Sequence, residues 1–463
     1  MERAGASADL LEIRADYIRD PDLGRIIAAG KKPLIITVSP KQEQGKFTGT
    51  EEERIALLMQ AIELGAEHID VNFGCPATKD IIAGKKDTKV IVSYHNFEET
   101  PSDLDGIYTA IKETGADIIK IATCATKLSD NIRMCNLVKQ SDTPTIALCM
   151  GPLGEISRIL TPLYGAYLTF ASQEQGRESA PGQIPADVVK NIYAIGDVKP
   201  GFKIFGLVGD PVNKSKGYVL YNRLFRHYGV NSIYVNLLVR DIDDFIDNVH
   251  GALAGYSVTM PHKQAVTQYL DAVDPAAARI GAVNAIVNRD GTCTGYNTDM
   301  PGAIQAIEEK TGIRHKNTTI LGAGGAARAL AVGVLDKGGK VTILNRTAAK
   351  SAQLAEALRC TGGPLADFGS VPTDILINTT SAGMQPDTDM TPVDTRLVKN
   401  MVVFDAIYNP AKTKLLQEAE RNGCTVISGM DMFINQAIEQ FTLWTDITPD
   451  RNLIRETLQC AYT

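Results

Sequence analysis

The sequence of 463 residues has little in it that suits a membrane, a nucleic acid or a metal ion. No apolar run approaches the roughly 18 residues needed to cross a bilayer. Lys and Arg number 47 against 54 Asp and Glu, a formal charge of −7 with no basic block; such a chain is a poor partner for phosphate backbones or anionic lipid. The eight cysteines are scattered from Cys75 to Cys460 without a C-x-x-C pair, which argues against a zinc site or a disulfide scaffold and for reduced thiols. His227, His250 and His315 lack metal-ligand spacing, and no metal is expected. The opening stretch MERAGASADLLEIRAD has neither the apolar core of a signal peptide nor the Arg/Ser-rich character of a transit segment, so no address is expected in the sequence as written, which is equally compatible with the mature or truncated form of a targeted protein. What is present is globular: 44% hydrophobic and 22% charged residues allow large cores, and the length predicts two or three domains at roughly 150 residues each.

From Leu10 to about Gln173, short apolar runs alternate with amphipathic stretches. The runs are LLEIRAD (10–16), LIITVSP (34–40), HIDVNF (68–73), KVIVSYH (89–95), DIIKIAT (117–123), PTIALCM (144–150) and YLTFAS (167–172). Thr50 followed by Glu53 has the form of a capping box opening a helix. Continuous apolar strands alternating with helices imply a parallel sheet buried on both faces. Over residues 1–193 the closed solution is a (β/α)8-type barrel, an α/β fold. Seven strands are legible, and the missing one is the first.

Barrel chemistry collects where the strands end. There the chain places Glu12, Arg14, Glu43, Asp70, His95 and Lys120, then Arg158, Ser179 and Gln183 on late loops. Lys120 interrupts an apolar strand. Desolvation would lower its pKa and suit it to form a Schiff base, with His95 as proton shuttle. The alternative is a structural lysine ion-paired to Glu12 or Asp70 beside a satisfied histidine.

A break rich in Gly and Pro falls at IGDVKPG (195–201), and a new αβ pattern follows. We expect a substrate lobe over 201–300, a Rossmann lobe over 301–430 and a C-terminal segment over 431–463 that returns to the substrate lobe. AVNAIVNRDGTCTGYNTD reads as a hairpin turning at Asn288–Gly291. In NTTILGAGGAARALAVGVL an apolar strand runs into Gly322-Ala323-Gly324-Gly325, and an Ala-rich helix follows. This is the G-x-G-x-x-G/A dinucleotide fingerprint in its strand–turn–helix setting. The next strand ends in Asn345-Arg346-Thr347, a guanidinium where an NAD site presents a carboxylate; this favours NADP. Lys263 and Asp299 are candidates for a lysine held by a carboxylate, able to stabilise an alkoxide and pass a proton. Gln436 and Gln440, spaced i, i+4, can face one ligand from one helix. His262 is expected to orient the loop beside Lys263, and Trp444 to pack a C-terminal helix.

Two family resemblances follow. EIRAD, IVSYHNFEETP, DIIKIAT, MGPLGEISR and SAPGQ together resemble type I 3-dehydroquinate dehydratase. This implies an imine between Lys120 and the C3 ketone of 3-dehydroquinate, proton transfers by His95, loss of water from C1, and substrate contacts from Glu12, Arg14, Arg158, Ser179 and Gln183. The sequence departs from that family at Ser39, where an arginine is usual, and at Asn72, where an acidic residue is usual. GDPVNKSKGYVLYN, SVTMPHK, GAVNAI, GYNTD, GAGGAARA, NRT, NTTSAGM, FDAIYNP and SGMDMFINQAIEQF together resemble shikimate dehydrogenase. This implies NADPH-dependent reduction of 3-dehydroshikimate to shikimate. Lys263 and Asp299 match the catalytic pair, and Ser215, Thr259, Asn284, Tyr408, Gln436 and Gln440 match substrate contacts. Met384, Ala406 and Gly429 match positions near the nicotinamide. The order of the two halves resembles that of plant bifunctional dehydroquinate dehydratase–shikimate dehydrogenases, which implies a plastid location, with the cytosol as the alternative. Gly217 stands where the dehydrogenases usually carry a second serine, as it does in relatives that prefer quinate. The two readings are therefore a shikimate-pathway enzyme, with a dehydratase half that is active or weakened, and a quinate dehydrogenase with a vestigial dehydratase half.

Overall fold

The computed structural model describes residues 5–462. They form two compact units. One runs to Lys203 and takes in Asn231–Ala252; the other comprises Ile204–Val230 and Leu253–Thr463.

In the first unit six parallel strands lie side by side in chain order: β1 (Leu11–Arg14), β2 (Leu34–Thr37), β3 (His68–Asn72), β4 (Lys89–Asn96), β5 (Ile118–Cys124) and β6 (Thr145–Met150). Alternate residues along these strands face opposite ways, so one sheet builds two cores. Outward, Ile36, Ile69, Val92 and Ile119 pack under helix residues Leu58, Ile62, Ile111 and Met134. Inward, Ile35, Ile91, Ile118, Ala122, Ile146 and Leu148 form the second cluster, against which Phe170 packs. The helix Glu51–Glu63 opens with the expected capping box, the Thr50 hydroxyl accepting from the Glu53 amide and the Glu53 carboxylate accepting from the Thr50 amide.

The segment YLTFAS does not form the seventh strand. Tyr167 N–H donates to the Thr145 carbonyl (2.8 Å), and Ser172 makes one isolated bridge to Pro185. These two isolated contacts do not make a ladder, so YLTFAS does not extend the sheet beyond β6. Among the described residues β1 pairs only with β2 and β6 only with β5, so the sheet is an open part-barrel. A cavity of about 1270 Å³, lined by Glu12, Arg14, Phe170, Ser179 and Gln183 among others, occupies its mouth.

The second unit holds β7 (Lys203–Gly209) and, past the β8 strand (Ser232–Leu238) that groups with the first unit, β9 (Gly255–Val258), β10 (Ala272–Val273), β11 (Ala285–Arg289) and β12 (Thr292–Tyr296). Their order is β10-β12-β11-β9-β7. The hairpin β11–β12 turns as expected through Asp290 and Gly291, both at positive φ (52° and 90°). A second sheet has β13 (Asn317–Leu321), β14 (Lys340–Asn345), β15 (Thr361–Pro364), β16 (Ile375–Asn378), β17 (Val402–Asp405) and β18 (Thr425–Ile427) in the order β15-β14-β13-β16-β17-β18. This is the doubly wound dinucleotide arrangement, with its switch point beside β13.

The helix Gly429–Thr445 crosses from the second sheet to the first. A Cβ on Gly302 would lie 2.8 Å from the Gln436 amide, so the glycine lets this helix close on the helix Asp299–Glu308. Trp444 anchors the far end: its indole donates to the Ile286 carbonyl (3.0 Å) and its ring packs on Phe205 and Tyr221.

Candidate active sites

At the mouth of the part-barrel, the Lys120 ammonium donates to Asp70 Oδ2 (2.7 Å) and Ser93 donates to Asp70 Oδ1 (2.6 Å). Both members of the ion pair are buried, at 8% and 4% side-chain exposure. Burial alone would push Lys120 down, but the charges of Asp70 and Glu12 outweigh it and hold the amine above its ordinary range. The expected desolvated, neutral lysine is therefore corrected: in the free protein Lys120 is an ammonium with a counterion. Burial would likewise raise Asp70; Lys120 and His95 outweigh it and keep the carboxyl below its ordinary range. The ammonium also lies 4.5 Å from the centre of the Phe170 ring.

Around this pair stand the other expected residues. Glu12 accepts from the Thr37 hydroxyl (2.9 Å). His95 Nδ1 meets Glu43 Oε2 at 3.2 Å. Arg158 is 1% exposed, and its Nη1 donates to the Phe170 carbonyl (3.1 Å), while Nε and Nη2 are buried without a hydrogen-bond partner. Burial pushes its guanidinium down to about 10. Two donor nitrogens of a buried guanidinium are thus left unsatisfied by the protein itself. Ser179 and Gln183 hydrogen-bond to one another on the exposed loop. Arg14 is engaged elsewhere: it forks onto Asp16 (2.9 and 2.8 Å) and lies over the Tyr17 ring.

In the second unit Lys263 donates to Asp299 Oδ2 at 2.6 Å, bridging 36 positions of sequence. Tyr408 feels both charges, and burial raises its phenol. Beside them lies a chain of amides and hydroxyls. Thr298 N–H donates to Asn284 Oδ1 (2.7 Å), Gln440 Nε2 donates to Gln436 Oε1 (2.8 Å), and Gln440 Oε1 accepts from Tyr221 (2.8 Å) and Ser257 (2.7 Å). The two glutamines do share a helix face, but Gln440 is 2% exposed and saturated by protein groups; it supports Gln436 rather than reaching a ligand. Ser215 accepts from the Gly217 amide (3.2 Å), which opens the helix Gly217–His227. Thr259 follows β9, and His262 is buried below Lys263.

Gly322 has φ 110°, and a Cβ there would sit 2.5 Å from the Thr379 hydroxyl. Gly324 and Gly325 are exposed with nothing within 4 Å of a Cβ, and Gly324 caps the helix Gly325–Asp336 with no side chain over its first amides. Ala323 lies between Gly322 and Gly324. Asn345 bonds to the Thr347 carbonyl (3.0 Å), leaving Arg346 exposed at the end of β14. Met384 is 46% exposed. Ala406 follows β17, and Gly429 fits where a Cβ would meet the Ile407 backbone at 2.5 Å.

Family profiles match three stretches: Type I 3-dehydroquinase over residues 1–200, Shikimate dehydrogenase substrate binding domain over 207–286, and Shikimate 5'-dehydrogenase C-terminal domain over 429–459. The chain is 42% identical, over 96% of its own length and 79% of the relative's, to the chloroplastic bifunctional 3-dehydroquinate dehydratase/shikimate dehydrogenase of Arabidopsis thaliana. It belongs to the bifunctional 3-dehydroquinate dehydratase/shikimate dehydrogenase family. Its dehydrogenase half is also 42% identical, over 55% of this chain and 96% of the relative, to the shikimate dehydrogenase (NADP(+)) of Pyrococcus abyssi. The Thermus thermophilus shikimate 5-dehydrogenase solved with NADP(H) and shikimate is 30% identical with a TM-score of 0.53, covering 56% of this chain and 100% of that one.

For a member of this family, several supporting residues escaped sequence reading. Ser93 lies two before His95 on β4, a same-face spacing that was legible. Thr298, Tyr221 and Ser257 gave no signal, because their partners are 14 to 219 positions away. Buried Asp405 holds the loop that carries Tyr408: it accepts from Asn378, Thr413 and the Ile407 amide, and burial pushes its carboxyl up to about 6.

Proposed function

We propose that this chain converts 3-dehydroquinate to 3-dehydroshikimate in its first half and reduces that product to shikimate with NADPH in its second. The observation that carries the reading is a lysine–carboxylate pair in each unit, Lys120–Asp70 and Lys263–Asp299, each set among polar groups that converge from distant strands.

In the dehydratase site the Lys120 amine, once it has given up a proton, attacks the C3 ketone and water leaves as the imine forms. The iminium withdraws electrons and acidifies C2. His95 removes the C2 proton and returns it to the departing C1 hydroxyl, and hydrolysis of the imine frees the product. Arg158 supplies free donors for the substrate carboxylate, with Glu12, Ser179 and Gln183 as further contacts; Arg14 would have to leave Asp16 to join them.

The Gly322–Gly325 turn fits a dinucleotide. Its backbone allows close approach, and its uncapped helix start offers amides to a pyrophosphate. Asn345, Arg346 and Thr347 would hold the 2′-phosphate, and Met384, Ala406 and Gly429 would flank the nicotinamide. When bound, the reduced coenzyme supplies hydride. The chain's own part is Lys263, which stabilises the oxygen of the reacting ketone and gives it a proton, while Asp299 holds the ammonium in place. Ser215, Thr259, Asn284, Tyr408 and Gln436 orient the ring. Gly217 reduces the hydroxyl donors near the substrate carboxylate, which raises the KM for shikimate rather than replacing it by quinate. The chloroplastic relative supports a plastid location, and small molecules are the partners. Among the described residues no helix is long and apolar enough to cross a membrane.

Two assays test this: formation of 3-dehydroshikimate from 3-dehydroquinate without coenzyme, and NADP⁺ reduction by shikimate. Absence of both activities, or quinate turned over faster than shikimate, contradicts it.

A further inference from the structure

The dehydrogenase site must hold a substrate carboxylate, and the helix Gly217–His227 begins with little to offer it. Lys216 at its cap makes no side-chain bond to the first amides, and position 217 brings no hydroxyl. Ser215 has one, and its oxygen already accepts from the Gly217 amide (3.2 Å). A second hydroxyl arrives from the far end of the sequence. Tyr462 closes the helix Arg451–Tyr462. Its ring meets the Tyr408 ring edge-on, with centroids 5.9 Å apart, and Phe433 also packs on Tyr408 at 5.1 Å. The Lys216 backbone and the Tyr408 phenol lie beside the Tyr462 hydroxyl. Neither meets it in hydrogen-bond geometry, and the oxygen is buried without a partner. Tyr408 in turn feels the charges of Lys263 and Asp299. The unmatched hydroxyl thus stands between the start of one helix and the side chain that borders the reacting pair.

The helix that carries Tyr462 is held along its length. Asp450 caps it, accepting from the amides of Asn452 (2.6 Å) and Leu453 (3.1 Å), while its own amide donates to the Tyr228 hydroxyl (2.7 Å). Arg451 donates to Asn435 (2.6 Å) and pairs with Glu309 (3.1 Å), and Arg455 pairs with Asp431 (3.3 Å). Ile454 and Leu458 are buried, and Tyr462 follows at the same i, i+4 spacing, so the face packed into the unit ends in the phenol. A hydroxyl left unpaired on so firmly held a helix costs free energy in the free chain and regains it when an acceptor arrives. Burial raises both phenols above their ordinary range, so at neutral pH each keeps its proton and can donate it.

We propose that Tyr462 donates a hydrogen bond to the carboxylate of the cyclic substrate, taking the place of the hydroxyl that Gly217 lacks. A neutral donor on an ionised acceptor makes a bond stronger than one between neutral groups. Tyr462 meets the carboxylate and not the carbon that exchanges hydride. Its bond is therefore made alike in the bound substrate and in the transition state, and its loss is felt in KM rather than in kcat.

The proposal rests on the reading that Lys263 and Asp299 carry out NADP-linked oxidation of shikimate, and the full-length chain separates the two. Tyr462→Phe keeps the ring and removes the oxygen. We expect it to raise the KM for shikimate by about tenfold, with kcat, the KM for NADP⁺ and the dehydration of 3-dehydroquinate close to the parent's. The Tm without ligand should hold or rise, because the unpaired hydroxyl is gone, and the shift that shikimate adds to it should shrink. Gly217→Ser placed in the Tyr462→Phe chain should bring the KM back toward the parent's. A packing role predicts no change in KM for a variant that preserves the ring. An unchanged KM in Tyr462→Phe, a fall in kcat at constant KM, or a rise in KM that Gly217→Ser fails to reverse overturns the proposal. If the unmutated chain oxidises no shikimate with NADP⁺, the dehydrogenase reading itself has failed, and the assignment of Tyr462 falls with it.

Discussion

Replacing Asp70 by Asn tests how the barrel site holds its nucleophile. Lys120 and Asp70 meet at 2.7 Å with side chains 8% and 4% exposed. Removing one partner of such a pair strands the other charge, at a cost of about 3–5 kcal/mol. Lys120 can escape that cost by losing its proton, since burial, no longer opposed by Asp70, pushes the amine down. The sign follows from both partners. Asp70 is held below its ordinary range, so its contribution is present above the unfolded value and is lost as acid protonates it. Lys120 is held above its ordinary range, so its contribution is present below the unfolded value and is lost in alkali. Between those limits, across neutral pH, Asp70→Asn destabilises. Its nucleophile is nonetheless neutral at lower pH, so borohydride trapping with 3-dehydroquinate should begin at lower pH than in the parent. Urea inactivation of the dehydratase measures the first effect and trapping against pH the second. An unchanged urea midpoint together with an unchanged trapping profile refutes the reasoning.

Further outcomes follow from the second unit. Lys263→Met should lower kcat for shikimate oxidation by about a hundredfold or more, and Asp299→Asn by less, because the ammonium stays but loses its anchor; steady-state kinetics with NADP⁺ reads both. Arg346→Ala should raise the KM for NADP⁺ by about tenfold and leave NAD⁺ little affected, measured by comparing the two coenzymes. Asp405, pushed up to about 6, is protonated when folded over a range where the unfolded chain has lost its proton. Stability should fall as pH rises from the ordinary aspartate range through about 6, by about 3 kcal/mol, and Asp405→Asn should flatten that slope in thermal scans.

The motifs legible in the sequence are those whose parts are local. The Gly322–Gly325 turn, the Thr50–Glu53 capping box and the Asn288–Gly291 hairpin each declare themselves within a few residues, and the structure forms all three. The Lys120 strand was legible as a strand, but its protonation was not, because the sign depends on Asp70 arriving from 50 positions away. YLTFAS has the composition of a strand, yet only one backbone bond joins it to β6 and one isolated bridge to Pro185, so composition alone did not decide it. Gln440 reads as a ligand contact by its spacing from Gln436, and only the folded chain brings up Tyr221 and Ser257 to occupy it.

The central claim, that one polypeptide dehydrates and then reduces, is tested most directly with Lys120→Met and NADPH absorbance. The parent chain should consume NADPH when given 3-dehydroquinate alone. The variant should consume none from 3-dehydroquinate, yet run at the parent's rate when given 3-dehydroshikimate. NADPH consumption from 3-dehydroquinate that survives in Lys120→Met would mean direct reduction to quinate, and would contradict the account.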